Sequence, residues 1–214
     1  MGELITLAEH RLRRRAQPRP PQHSAPPVFY FDLGCPYSYL ALERVDRLLP
    51  GAHWRPTPTD NLHPTHPWTD TPTRTTAEHR ARELGLPLIW PTTTPHSPRP
   101  AMRAALHAIN HGPGPQFALA AARLAFCGGY DLNDPAIIAE AAAAANLDPH
   151  PALHAAHNPQ LDQTLENNAQ HLLAAGATCL PAIRIGPTLH CGETTITQAA
   201  AAQRKTPQPG AGAA

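Results

Sequence analysis

The sequence predicts an α/β fold made of two separated halves, with an all-helical segment inserted between them. Near the start, the apolar run "VFYF" at 28–31 precedes a helical pattern and then a second short strand. About a hundred residues of helical segments follow, divided by Gly, Pro and Asn-Pro breaks. Near the end, "CLPAIRIG" and "PTLHCG" indicate two strands before a last helix. The chain therefore reads β-α-β, helices, β-β-α.

The first half is the most sharply patterned part of the chain. Residues 28–31 are β-branched and aromatic, which is typical of a buried strand. Pro36 suits the first turn of a helix, and Pro50-Gly51 ends that helix before a short strand around 53–57. Apolar residues recur at helical spacing between these breaks: Leu42, Val45, Leu48 and Leu49. A β-α-β unit is therefore expected over 28–58.

The order of elements is that of a thioredoxin-like fold interrupted by a helical insertion. We assign the thioredoxin-like domain to 28–58 and 177–204 and the all-helical insertion domain to 59–176. We expect residues 1–27 to be a basic arm with a Pro-rich linker and residues 205–214 to be a loose tail. Within the insertion, Asp134-Pro135 and Asn158-Pro159 each place a good N-cap before proline, which predicts helix starts.

Composition excludes several classes of function. A chain of 214 residues with a formal charge of +1 gives no reason to expect a nucleic-acid or membrane partner. The N-terminus lacks the features of a secretion signal, and the four cysteines show no disulfide-scaffold spacing, so we expect a cytoplasmic protein with reduced thiols. Histidines recur at helical spacing, for example His107 with His111, but no zinc-binding spacing accompanies them. No metal site is predicted.

Cys35 is the main candidate for chemistry because it lies between the first strand and the first helix. The free N–H groups and positive dipole end of a helix stabilise a thiolate, so we expect the pKa of Cys35 to be lowered. The alternative is a small buried filler. Ser38 faces Cys35 across the first helical turn and either helps to hold the thiolate or simply begins the helix. With serine there, a self-contained dithiol oxidase is not expected.

The stretch "FYFDLGCPYSYLALERV" resembles the start of 2-hydroxychromene-2-carboxylate isomerases and kappa-class glutathione transferases, the glutathione-using branch of the DsbA-like thioredoxin superfamily. The resemblance extends over about residues 28–204 through "PRPAMRAAL", "FALAAARLAFCGGYDLNDPAIIAEAAAAANLD" and "GATCLPAIRIGPTLHCGE". It implies a bound glutathione or another low-molecular-weight thiol, and a small-molecule electrophile or a protein thiol as partner. Relatives are commonly dimers, so a homodimer is expected.

The resemblance also implies roles for particular residues. Cys35 falls on the family's first serine, which hydrogen-bonds the glutathione thiolate, and Ser38 falls on its second serine. Leu180 and Pro181 fall on the cis-proline pair whose backbone receives the glutathione cysteine, and Gly192 falls on a late turn that holds the γ-glutamyl end. Further thiol-binding candidates come from the same segments: Pro36, Tyr37, Glu193 and Thr194.

Two departures from the family pattern bear on the chemistry. Cysteine replaces the first serine, giving Cys-Pro-Tyr-Ser, which makes Cys35 a candidate covalent nucleophile instead of a hydrogen-bond donor. In the late turn, Glu193-Thr194 stands where the family has the aspartate that binds the amine. That change leaves open a binding protein that kept the fold and lost turnover.

Four more residues are weaker candidates. Cys179 and Cys191 lie next to the proline loop and the late turn, where either is a candidate to resolve a mixed disulfide on Cys35, although packing is the commoner role. Arg99 and Arg103, near a helix start, are candidates to bind an anionic substrate or are ordinary surface arginines. The leading hypothesis is a thiol-dependent oxidoreductase with a single active cysteine, with transferase or isomerase chemistry as its variants.

Overall fold

The structure is a computed structural model that describes residues 25–62, 70–91 and 97–205. The predicted basic arm within 1–24 and the end of the tail, 206–214, lie outside the described residues. No helix in the described part of the chain is long and apolar enough to cross a membrane.

A four-stranded sheet joins the two halves of the chain. Its strands are β1 (Val28–Phe31), β2 (His53–Pro56), β3 (Ala182–Ile185) and β4 (Thr188–Cys191), in the order β2-β1-β3-β4. β1 and β2 are parallel, as a β-α-β unit requires, whereas β3 is antiparallel to both β1 and β4. The predicted thioredoxin-like fold is confirmed, with a mixed sheet.

Most helices of the described residues begin at a proline or at a side-chain N-cap. They are α1 (Pro36–Leu48), α2 (Thr71–Glu83), α3 (Arg99–His111), α4 (Gly114–Phe126), α5 (Pro135–Ala144), α6 (Pro149–Ala156), α7 (Asp162–Ala174) and α8 (Ile196–Lys205). As predicted, Asp134 caps α5 by accepting the Ala136 N–H at 2.8 Å. α6 was not predicted, although Asp148 caps it in the same way, at 2.9 Å from the His150 N–H.

Small side chains dominate the helical part of the core, as the alanine-rich composition predicts. The fully buried residues of α3 and α4 include Ala104, Ala105, Ala121 and Ala122. Alanine allows helices to approach closely and pack without voids. Under the sheet, the rings of Phe29, Phe31 and Trp54 pack with centroids 5.1–5.8 Å apart. The helices therefore form a compact support for the loops that follow β1 and precede β3.

Candidate functional site around Cys35

Cys35 is the N-cap of α1, as the sequence predicts. Its backbone is extended (φ −98°, ψ 118°), and its thiol accepts the Ser38 N–H at 3.4 Å. Pro36 occupies the first helical position and has no N–H to leave unpaired. The Cys35 N–H donates to the Asp32 carbonyl at 3.1 Å, which fixes the turn between β1 and α1. The thiol therefore lies against the amide groups of the first helical turn.

The proline loop from the other end of the chain meets this thiol. The peptide bond between Leu180 and Pro181 is cis. The Cys35 thiol donates to the Leu180 carbonyl oxygen, with 3.8 Å between sulfur and oxygen. Two segments 145 residues apart are thus brought together, at the positions that the resemblance implies for the sulfur-binding residue and the backbone acceptor.

The predicted lowering of the Cys35 pKa is wrong for this structure. The side chain is fully buried, with 0% exposure, and lies in an apolar cluster with Leu172, Ala177 and Leu180. Burial raises the pKa of Cys35 to about 12, because the loss of water disfavours the thiolate more than the hydrogen bonds from Ser38 favour it. The nearby carboxyl group of Asp32 acts in the same direction as burial. Cys35 therefore carries its proton at neutral pH.

Ser38 is fully buried and serves the turn as well as the thiol. Its hydroxyl oxygen accepts the Asp32 N–H at 3.2 Å, and its own N–H points at Cys35. The hydroxyl also tends to lower the pKa of Cys35, which places it beside the sulfur. Ser38 therefore has both of the expected features: it belongs to the first turn of α1, and it contacts the thiol of Cys35.

Asp32 is a polar centre of the site that was not among the predicted site residues. Its carboxylate accepts the Gly34 N–H at 2.8 Å, the Thr59 N–H at 2.6 Å and the hydroxyl of Ser97. Desolvation raises its pKa although these hydrogen bonds oppose the rise. The signal in the sequence is an ionisable residue directly after a buried strand, where a free carboxylate needs several donors. Asp32 joins the loops after β1 and β2 to the segment that precedes α3.

The late turn approaches the proline loop but uses its carboxylate internally. The Gly192 N–H donates to the Pro181 carbonyl at 2.8 Å. The side chain of Glu193 is 1% exposed, and both its oxygens are engaged: Arg80 Nε donates to one at 2.6 Å, and Arg44 donates to the other. The predicted binding role of Glu193 therefore has to be revised, because its carboxylate already has two cationic partners.

Thr194 of the late turn and Tyr37 of the Cys-Pro-Tyr-Ser segment, both predicted to bind the thiol, differ in exposure. Thr194 is exposed at the surface. Tyr37 is half-buried, and burial, with the nearby Cys35 and Glu193, raises its pKa. Tyr37 is therefore close enough to both Cys35 and Glu193 for their charges to act on it, and it is less buried than Cys35.

The two arginines predicted to bind an anion have different surroundings. Arg103 makes a two-point contact with Asp162, at 2.8 and 2.6 Å, and also donates to the Ala156 carbonyl at 3.0 Å. These contacts connect α3 to the end of α6 and the start of α7. Because the guanidinium group already has a carboxylate partner, the contacts do not support the prediction that Arg103 binds an anionic substrate. Arg99 is partly exposed and forms two long ion pairs, each at 3.9 Å, with Asp60 and Glu166.

The remaining cysteines divide into one helical residue and one pair. Cys127 lies at the end of α4, where its sulfur is 3.3 Å from the Tyr39 hydroxyl. Cys179 and Cys191 are half-buried, and burial, with the nearby Cys191, raises the pKa of Cys179. Residues 25–62, 70–91 and 97–205 contain no group of three His, Cys, Asp or Glu side chains suited to a metal ion.

A groove of about 650 Å³ lies beside the edge strand β2, away from the predicted site residues. It is lined by β2 together with residues of α3 and α7, including Asn110, Asn168 and His171. None of its lining residues belongs to the cluster around Cys35.

Comparisons with known proteins agree with this geometry. The profile of the DSBA-like thioredoxin domain matches residues 28–202. The fold is similar to that of a 2-hydroxychromene-2-carboxylate isomerase, with a TM-score of 0.71, 15% identity, and coverage of 85% of this chain and 95% of the isomerase. The fold is also similar to that of a probable DsbA oxidoreductase from Streptomyces coelicolor. The TM-score is 0.68 at 17% sequence identity, and the match covers 89% of this chain and 94% of the oxidoreductase.

A third similar structure is the cytosolic disulfide reductase DsbM from Pseudomonas aeruginosa with GSH. Its TM-score is 0.62 at 16% identity, with 85% of this chain and 98% of DsbM covered. No curated protein sequence matches the chain. At 15–17% sequence identity, the TM-scores of 0.62–0.71 show a shared fold and nothing more. The match to the domain profile extends over most of the chain. The protein therefore belongs to the family of DSBA-like thioredoxin domains.

Proposed function

We propose that the protein is a thiol-dependent enzyme that binds glutathione, or another low-molecular-weight thiol, and uses Cys35 as a hydrogen-bond donor to the bound sulfur. The observation that carries this proposal is the fully buried, protonated thiol at the N-cap of α1, which already donates to the Leu180 carbonyl at 3.8 Å. A group with a pKa of about 12 keeps its proton at neutral pH and is a donor instead of a nucleophile.

This role matches the one that the family resemblance gives to a serine hydroxyl at the same position. A thiol is a weaker donor than a hydroxyl, but both can point a hydrogen at a neighbouring sulfur anion. The bound thiolate would also be stabilised by the positive end of α1. The thiol of Cys35 has one hydrogen, and it donates this hydrogen to the Leu180 carbonyl. A bound sulfur must therefore replace the Leu180 carbonyl as the acceptor, within a buried site.

The reaction that fits a stabilised small-molecule thiolate is addition to an electrophilic carbon. In the isomerase form, the sulfur adds to a carbon conjugated with a carbonyl, the bond between the former alkene carbons rotates, and the same sulfur leaves. The thiol is regenerated and no oxidant is needed. The similar fold of 2-hydroxychromene-2-carboxylate isomerase supports this form, and the DsbM structure with GSH supports glutathione as the thiol. In a transfer reaction the adduct would instead be the product.

A second candidate is thiol–disulfide exchange by Cys35 itself. It is favoured by the Ser38 N–H, which points at the sulfur at 3.4 Å and would stabilise a thiolate once water reached it. With Ser38 in place of a second cysteine, such exchange would stop at a mixed disulfide until another thiol arrived. A protein that only binds the thiol is the remaining alternative, and it predicts binding without turnover.

The variants Cys35→Ser and Cys35→Ala separate these functions. Glutathione binding is measured by calorimetry, and the pKa of the bound thiol by its ultraviolet thiolate absorbance against pH. A hydrogen bond to a charged group contributes about 1.5–3 kcal/mol, so loss of the donor in Cys35→Ala should raise the pKa of bound glutathione by about 1–2 units. Cys35→Ser should keep the low pKa, and Cys127→Ser, at the end of α4, serves as a matched thiol-loss control.

Activity is then followed with a conjugated carbonyl substrate and with a small disulfide. If Cys35→Ser retains isomerisation or transfer while Cys35→Ala loses it, the donor role is correct. If both variants lose activity equally and the wild type accumulates a glutathione adduct on Cys35, the sulfur is a covalent nucleophile and the proposal is wrong. Tight binding without turnover in every protein identifies a binding function.

A further inference from the structure

Cys179 and Cys191 form a pair of thiols beside the proline loop, separate from Cys35. Cys179 lies two residues before the cis-proline, and Cys191 ends β4, where it is opposite Ala182 in the β3–β4 register. The Gly192 N–H donates to the Pro181 carbonyl at 2.8 Å and holds the two segments together. The two cysteines are thus brought together by the hairpin and by the late turn.

The position of the Cys179 sulfur shows how close the segments are. It lies 3.8 Å from the point that a Cβ atom would occupy on Gly192, the residue that follows Cys191. The interaction between the two thiols adds to burial in raising the pKa of Cys179. Gly192 has φ of +89°, a conformation that glycine adopts without strain and that brings the turn back toward Cys179.

Exposure distinguishes this pair from Cys35. Both Cys179 and Cys191 are half-buried, whereas Cys35 is fully buried and its thiol points at Leu180. A dissolved disulfide therefore reaches the pair before it reaches Cys35. The closeness of the Cys179 sulfur to Gly192, the residue after Cys191, makes Cys191 the natural partner of Cys179.

We propose that Cys179 and Cys191 are a dithiol site that forms a reversible intramolecular disulfide by exchange with a low-molecular-weight disulfide such as glutathione disulfide. One cysteine loses its proton and attacks a sulfur of the small disulfide, whose S–S bond breaks to release one thiol. The second cysteine then attacks the protein sulfur of this mixed disulfide and releases the second thiol. The protein loses two electrons and two protons, and the small disulfide gains them.

The location gives this reaction a consequence for the site around Cys35. Cys179 directly precedes the Leu180–Pro181 peptide, and Cys191 lies opposite Ala182, which directly follows it. The Leu180 carbonyl accepts the hydrogen bond from the Cys35 thiol. A covalent bond between the two cysteines would tie the proline loop to the end of β4. The site would thus contain a two-cysteine exchange centre that the Cys-Pro-Tyr-Ser sequence itself lacks.

The test is disulfide mapping of the full chain after reduction, desalting and incubation with glutathione disulfide. Remaining thiols are blocked by alkylation, and the protein is cut with trypsin. Cleavage after Arg184 separates Cys179, in peptide 124–184, from Cys191, in peptide 185–204. We expect these two peptides to be joined, with a mass lower by two hydrogens than their sum, and to separate on treatment with dithiothreitol.

Two variants assign the bond. Cys127→Ser removes the other cysteine of peptide 124–184 and should leave the cross-link unchanged. Cys35→Ser should also form it to the same extent, which keeps this result independent of the proposed function of Cys35. The proposal is overturned if the wild type instead carries separate glutathione adducts on Cys179 and Cys191, if both cysteines remain fully alkylatable, or if either is joined to Cys35.

Discussion

Replacing Cys35 with serine tests the central physical claim, that burial keeps this thiol protonated. The pKa of Cys35 is raised from a reference value of 9.0 to about 12 in the folded protein. A group whose folded pKa is raised leaves stability intact below its unfolded pKa, and stability is lost as the pH rises toward the folded value. Serine does not titrate in this range. The difference between wild type and Cys35→Ser therefore isolates the thiol from other alkaline titrations.

The magnitude follows from linkage. With pKa values of 9.0 unfolded and about 12 folded, the wild type should lose about 1 kcal/mol of unfolding free energy between neutral pH and about pH 10 that Cys35→Ser does not lose. Near pH 12 the loss should approach about 4 kcal/mol.

The assay is urea unfolding of both proteins across this pH range, with the alkylation rate of Cys35 measured in parallel. Slow alkylation that rises only at high pH is expected. If the two proteins lose the same stability, and Cys35 of the native protein is alkylated rapidly at neutral pH, the helix terminus outweighs burial and the donor role fails.

Two further substitutions test the polar groups around the site. Glu193→Gln should lower the free energy of unfolding by about 1–3 kcal/mol, because Arg44 and Arg80 lose a buried anionic partner but keep some solvent. Glu83→Gln, which changes an exposed partner of Arg80, should have a smaller effect, and equal losses in urea would show that Glu193 is not a structural anchor. Asp32→Asn replaces one carboxylate oxygen by an NH2 group, which leaves either the Gly34 N–H or both the Thr59 N–H and the Ser97 hydroxyl without this acceptor, and it should destabilise the protein by about 1–3 kcal/mol. Because the folded pKa of Asp32 is raised above 3.8, the advantage of wild type over Asp32→Asn should be greatest below about pH 4 and should decrease as the pH rises from there through the folded pKa; an advantage that grows with pH contradicts this reasoning.

The placement of backbone elements was readable from the sequence because local signals set them. The apolar run 28–31 forms β1, Pro36 begins α1, and the Asp134 cap begins α5 as expected. Local signals also place Cys35 at the helix N-cap. The approach of Leu180 to Cys35 depends on contacts across the whole insertion, and it was available only through the family resemblance.

The errors arose where long-range packing decides the chemistry. A sequence shows that Cys35 precedes a helix, but its burial by Leu172, Ala177 and Leu180 depends on segments more than a hundred residues away. The pairing of Glu193 with Arg44 and Arg80 likewise joins three distant elements. The two-point contact of Arg103 with Asp162 has the same origin. Residue type and spacing were thus enough to locate the site. Which of its residues remain available to a ligand depends on the neighbours that each side chain acquires from distant segments, and the sequence does not show these.

The balance at Cys35 explains why cysteine can stand where relatives of this branch are expected to have serine. The same helix terminus acts on both side chains, but its effect on a thiol depends on water. In this structure, desolvation of the thiolate outweighs the hydrogen bond from the Ser38 N–H, and the thiol remains a neutral donor to Leu180. With a ligand thiolate in place, that hydrogen can turn from the carbonyl to a full negative charge, which is the stronger acceptor. Burial therefore suppresses the nucleophilic reactivity of Cys35 while it preserves the hydrogen that a serine would otherwise supply.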